Sequence, residues 1–214
     1  MKRYLPFVII AATLAAAIGT GIWMFRAAQP QPTPTPAPSS SPVASLNLTG
    51  SKGVVTIEEF GDYQCPPCGA LNPIIKTLKK EYGDRIRVVF RHFPLTSIHK
   101  HALEAAYAAA AAELQGKFWD MHNMLYDNQS AWSEVGDFRP FALNYASRLG
   151  LDIQRFTQDM DGLKVMSRVA SDEQRAAGMG VNSTPTLFID GRKNEDMSLE
   201  SLRKEINQRL SVSP

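Results

Sequence analysis

The chain has 214 residues, room for one domain with accessory segments, and its 44% apolar content allows an ordinary core. Formal charge is +2, but Lys2, Arg3 and Arg26 all precede the first acidic residue, which leaves 20 basic against 21 acidic residues from Leu46 onward, net −1. Bulk charge therefore excludes a strongly basic nucleic-acid binder, and no nucleic-acid partner is expected.

Leu5 to Phe25 runs 21 residues without a charge, flanked by Lys2 and Arg3 before and Arg26 after. A bilayer-spanning helix needs about 20 apolar residues, whereas the apolar region of a cleaved signal peptide has about 7–15. Residues 1–28 are thus read as a signal anchor, a single transmembrane helix with its basic N-terminus in the cytoplasm and the rest outside. Gly19, Thr20 and Gly21 weaken this helix, and the Ala-rich stretch leaves cleavage open. Residues 29–48 follow as a linker. Pro30, Pro32, Pro34, Pro36, Pro38 and Pro42 alternate there with small and polar residues, a composition that makes an extended, semi-rigid spacer.

Residues 49–211 remain for the folded domain. Val54 to Phe60 is β-branched and apolar and predicts a strand, broken by Gly61 and Asp62. Ala70 to Tyr82 carries Leu71, Ile74, Ile75 and Leu78 at helical spacing. Ile86 to Phe93 predicts a second strand, which makes a strand–helix–strand unit and a parallel pair. His99 to about Met179 is helical in pattern almost throughout, and the Ala105–Ala112 run reads as close helix packing. Thr186 to Asp190 predicts a short strand, Gly191 a turn, and Leu199 to Leu210 a terminal amphipathic helix capped by Ser198. Trp119, Trp132, Met121 and Met124 read as packing residues.

Cys65 and Cys68, in Cys65-Pro66-Pro67-Cys68, are the only two cysteines. They can pair with each other and with nothing else in the chain. A structural disulfide gains stability by closing a long loop, and a two-residue loop offers almost none. The pair therefore points to chemistry. Cys65, Cys68, His99 and His101 form a competing Cys₂His₂ zinc reading, disfavoured because Cys-Pro-Pro-Cys is a stiff turn entering a helix.

The run Phe60-Gly61-Asp62-Tyr63-Gln64-Cys65-Pro66-Pro67-Cys68 resembles the active-site turn of thioredoxin-fold proteins. Pro73 stands where that family has a kinking proline. Arg91-His92-Phe93-Pro94, Phe118-Trp119 and Ser183-Thr184-Pro185-Thr186 are similar to elements of the DsbA-like branch, in its membrane-anchored, BdbD-like group. The resemblance implies an α/β chain: a thioredoxin fold with an inserted helical domain at about 97–180, preceded by the transmembrane helix. It departs at the end, where Gly191 to Asp196 is polar and short and predicts a last strand that is stunted or displaced into a loop.

The resemblance also implies roles. Cys65 is the expected nucleophile, at a helix N-terminus that favours thiolate, and Cys68 the resolving thiol. Pro66 and Pro67 shape the active-site turn. Proline costs little at the first helical positions, but Pro67 has no N–H to donate and the turn holds no histidine. Glu59 matches the buried acid that relays protons, with Glu58 pointing the other way so that only one faces inward. Thr184 and a cis Pro185 are expected to bind extended substrate peptide. The expected activity is thiol:disulfide exchange in exported proteins, as a disulfide donor. An envelope reductase or cytochrome-maturation thiol donor is the rival within the class, and a redox-inactive zinc- or peptide-binding module the rival outside it. No metal and no cofactor beyond the Cys65–Cys68 disulfide is expected. The expected partners are unfolded, cysteine-bearing exported proteins and a membrane redox partner, either a quinone-linked DsbB-like protein or an electron donor. The protein is expected to be a monomer held at the cell membrane with its catalytic domain outside the cytoplasm.

Overall fold

A computed structural model describes residues 53–212. The expected transmembrane helix and the whole of the proline-rich linker lie outside the described residues. Among the described residues, no helix is long and apolar enough to cross a membrane.

Strand β1 (Val55–Gly61) leads through a turn to helix α1 (Pro66–Tyr82), a short 3₁₀ turn (Gly83–Arg85) and strand β2 (Ile86–His92). The helices α2 (Ala102–Glu113), α3 (Phe118–Asp127), α4 (Gln129–Trp132), α5 (Arg139–Arg148), α6 (Ile153–Met160) and α7 (Leu163–Gly178) follow without a strand between them. Strands β3 (Thr186–Ile189) and β4 (Arg192–Asn194) then lead to helix α8 (Leu199–Val212). The sheet order is β2-β1-β3-β4. β1 runs parallel to β2 and antiparallel to β3, and β3 runs antiparallel to β4.

Every residue of β1 is buried, because the central strand is covered on both faces. Val55 and Ile57 face a cluster built with Leu71, Ile75 and Leu78 of α1 and Leu202 and Ile206 of α8. Phe60 faces the other way, onto Phe188 and Ala176 of α7. This two-sided cover corrects the expectation for the acidic pair. Glu58 and Glu59 do point to opposite faces, yet both are 2% exposed. Glu58 is stabilised on the α7 side by Arg91 Nε (2.7 Å) and Arg175 Nη2 (2.7 Å).

Helix α1 starts at Pro66, one turn earlier than the apolar spacing predicts, since the two prolines occupy the first positions, where no intrahelical donor is lost. The last strand exists but is stunted. β4 has three residues, all polar, and pairs only with β3, so it sits at the sheet edge where little apolar surface is available to bury. The helical block begins at Ala102 rather than His99, because residues 93–101 are drawn onto the turn before α1. Within the block Ala105 to Ala112 is buried almost throughout, which lets α2 pack closely among the other helices. Trp132 and Met121 are fully buried packing residues.

Candidate active site

The site forms where β1 ends. Gly61 allows the strand to leave the sheet beside the Phe90 ring; a Cβ there would lie 2.5 Å from that ring. Asp62 then organises the turn. Its Oδ1 accepts from the Gln64 N–H (2.7 Å), its Oδ2 from the Leu95 N–H (2.9 Å), and its backbone oxygen from the Cys65 N–H (3.1 Å) and the Tyr126 hydroxyl (3.3 Å). Gln129, at the start of α4, donates from Nε2 to the carbonyls of Tyr63 (2.7 Å) and Cys65 (2.9 Å). The inserted helices thus grip the turn that carries the cysteines.

Cys65 is the N-cap of α1, with extended backbone (φ −73°, ψ 119°), and the Gly69 N–H closes the first helical bond onto its carbonyl. Pro66 and Pro67 are exposed beside it. Cys68, one turn further, is fully buried, and Cys65 is 5% exposed; both are free thiols. Hydrogen bonding from the Cys68 thiol, helped by the Cys68 N–H, outweighs burial and the Asp62 charge and lowers the Cys65 pKa to about 6. Burial pushes the Cys68 thiol far up instead, and a Cys65 thiolate and the Glu59 charge push the same way. The two thiols are chemically unlike although three residues apart.

The loop before β3 completes the site. The Thr184–Pro185 peptide bond is cis. Cys65 Sγ lies 3.5 Å from the Thr184 carbonyl oxygen, across 119 residues of sequence. Glu59 lies on the β1 face that carries Val55 and Ile57, toward α1. Its Oε1 is buried without a hydrogen-bond partner, and burial raises its pKa to about 8. All seven residues singled out from the sequence (Cys65, Cys68, Glu59, Thr184, Pro185, Pro66 and Pro67) therefore converge at one end of the sheet.

The histidines go elsewhere. His99 Nδ1 meets Asp62 Oδ2 at 2.7 Å, and His101 divides its ring nitrogens between the Val135 carbonyl (2.8 Å) and Glu104 (3.3 Å). Among the described residues no three His, Cys, Asp or Glu side chains come together as a group of metal ligands. His122 is buried in an aromatic cluster and shares a 3.1 Å hydrogen bond with the Tyr63 hydroxyl; burial lowers its pKa to about 3. A groove of about 430 Å³ opens next to Pro66, lined by Gln64, Ile98, His99, Gln129 and Ser133. Sequence reading missed Asp62, Gln64 and Gln129 as site residues. Asp62 and Gln64 stand inside the quoted motif, but Gln129 is 64 residues from Cys65 and has no local signal.

Comparison with known proteins agrees with this geometry. Residues 49–208 match the thioredoxin family model. The chain is 41% identical over 141 residues to a Na⁺/H⁺ antiporter, NhaA 1, from Salinispora arenicola, but that stretch is 65% of this chain and only 21% of the antiporter. The chain thus spans about a fifth of the curated relatives it matches, and most of each antiporter lies outside the match. Among solved structures, a thioredoxin-like oxidoreductase from Silicibacter pomeroyi superposes with TM-score 0.62 at 26% identity, covering 76% of this chain and 90% of that one. BdbD from Bacillus subtilis superposes with TM-score 0.67 at 21% identity over 76% and 90% of the two chains. BdbD shares the fold, including the helical block between β2 and β3, and the chain belongs to the thioredoxin family.

Proposed function

We propose that the protein donates its Cys65–Cys68 disulfide to exported proteins outside the cytoplasm, tethered by its N-terminal segment. The observation that carries the reading is the asymmetry of the two thiols: one at a helix N-terminus with its pKa lowered to about 6, the other fully buried. In the oxidised protein a substrate thiolate attacks Cys65 Sγ. The Sγ–Sγ bond breaks, a mixed disulfide forms, and the electron pair leaves on Cys68, which takes up a proton. A second substrate thiolate then attacks the substrate sulfur of the mixed disulfide and expels Cys65 as a thiolate. The substrate loses two electrons and the protein gains them. A good leaving thiol has a low pKa, which suits Cys65 to this last step.

Glu59 is the proton carrier for Cys68 in this reading. A carboxyl with a pKa of about 8 is part protonated and part ionised near neutral pH, and so can both give and accept. Thr184 and Pro185 offer the edge of their loop to extended substrate backbone, close to Cys65. A quinone-linked membrane partner of the DsbB kind takes the two electrons and restores the disulfide.

The test is the reduction potential of Cys65–Cys68, equilibrated against glutathione. A value near the DsbA figure of about −120 mV supports disulfide donation. A value near the thioredoxin figure of about −270 mV overturns it in favour of an envelope reductase fed by a membrane electron donor.

A further inference from the structure

Asp62 is 1% exposed, and its position next to the nucleophile poses an electrostatic problem. Its charge opposes a Cys65 thiolate, yet its oxygens are needed to hold the Gln64 and Leu95 N–H groups. The Cys-Pro-Pro-Cys turn contains no cation to offset that charge. His99 does come close: its Nδ1 is 2.7 Å from Asp62 Oδ2, its side chain is 17% exposed, and it lines the groove beside Pro66. Residues 95–99 are latched there by the Leu95 N–H on Asp62 and the His99 N–H on the Leu95 carbonyl (2.9 Å).

We propose that His99 is a positioning residue for Cys65, supplying from outside the Cys-Pro-Pro-Cys turn the positive charge that neutralises Asp62. With a proton on both ring nitrogens, His99 and Asp62 together carry no net charge, and the thiolate is the only anion left at the turn. With His99 neutral, thiolate and carboxylate stand together uncompensated. The other charged groups lining this groove are Lys100 on the same loop and Glu134 after α4; Gln64, Gln129, Ser130 and Ser133 are neutral. The proposal rests on the reading of Cys65 as the attacking thiol.

The decisive variant is His99→Asn, whose amide nitrogen occupies the Nδ1 position and keeps the donor to Asp62 without a charge. The full-length protein is titrated by thiolate absorbance, and its potential is measured against glutathione. The expected result is a thiolate fraction about three- to tenfold lower below the Cys65 pKa. The potential falls correspondingly by about 15–30 mV, at ~30 mV per tenfold. In an Asp62→Asn background the same His99→Asn change has no effect, since no carboxylate is left to neutralise. A folded His99→Asn protein with unchanged titration and potential overturns the proposal. Where that variant does not fold, the unmodified protein decides. Nitrogen NMR of the His99 ring should show a higher proton occupancy in the reduced protein than in the disulfide form at the same pH, and equal occupancy overturns the proposal. If the unmodified protein has no low-pKa thiol at all, the reading of Cys65 itself fails, and this proposal fails with it.

Discussion

At the scale of single residues, the chemistry depends on which N–H groups and charges surround Cys65. Pro67 occupies the second position of α1 and contributes no donor, so the thiolate depends on Cys68 and the helix end. Pro67→His restores that N–H and adds a basic ring. It should lower the Cys65 pKa and raise the reduction potential by about 30 mV per tenfold gain in thiolate stability; unchanged values in a thiol titration would contradict this account. Glu59 is governed by burial. Its folded pKa of about 8 lies above the ordinary carboxylate value, so its contribution to stability is full below about pH 4.5 and is lost as pH rises through 8. Glu59→Gln should remove that loss, stabilising the protein at pH 8 by on the order of 3 kcal/mol in denaturant titrations. The same variant should slow Cys68 attack on a mixed disulfide about tenfold or more. Gained stability with an unaltered resolving rate would leave Glu59 buried but outside the proton path.

At the scale of elements, the active-site turn is held from two directions. β1 delivers Asp62, and the short helix α4 reaches back with Gln129 to two consecutive segments of the turn. Gln129 also fills the space over Gly69, where an added Cβ would approach its amide oxygen to 2.7 Å. Gln129→Ala removes two hydrogen bonds to buried carbonyls and should cost about 1–3 kcal/mol in urea unfolding. It should also loosen Cys65, seen as faster hydrogen exchange at the Gly69 amide, which bonds the Cys65 carbonyl. Loss of stability without that local change would mean that α4 merely packs. Elements with an apolar period were legible in the sequence: β1, β2, β3, α1 beyond its first turn, and α8. The bounds that the apolar period did not mark depended on other forces. The apolar period of α1 begins only near Ala70, and its start at Pro66 was legible instead from the two prolines after Cys65, which suit first helical positions; the start of α2 was hidden because the loop before it is held by distant side chains.

At the scale of the whole molecule, the sheet and the inserted helices are joined by buried charge as well as by apolar packing. Glu58 accepts from Arg91 of β2 and Arg175 of α7, and Asp172 of α7 binds Arg91 (3.1 Å) and the His92 N–H (3.0 Å). Burial alone would raise the Glu58 carboxyl, but the hydrogen bonds and charges of Arg175 and Arg91 prevail and hold it below its ordinary value. A carboxyl with a depressed folded pKa contributes stability above its unfolded value and loses it as pH falls through the folded one. Glu58→Gln should therefore lower stability at neutral pH by about 3–5 kcal/mol and flatten the acid limb of a stability–pH profile. A parallel displacement of the whole profile would show that the charge itself does little. The sequence by itself determined the chemistry and the scaffold: two thiols in one helical turn, a strand before them, a Thr-Pro loop after, and a helical block between. These signals are local, carried by spacing and residue type along a few positions. Only the tertiary structure decided how the thiols differ, which carboxylates are buried, and that His99 meets Asp62. Those outcomes depend on which groups from positions 37 to 119 residues apart are brought within hydrogen-bond distance, and on a sheet covered on both faces.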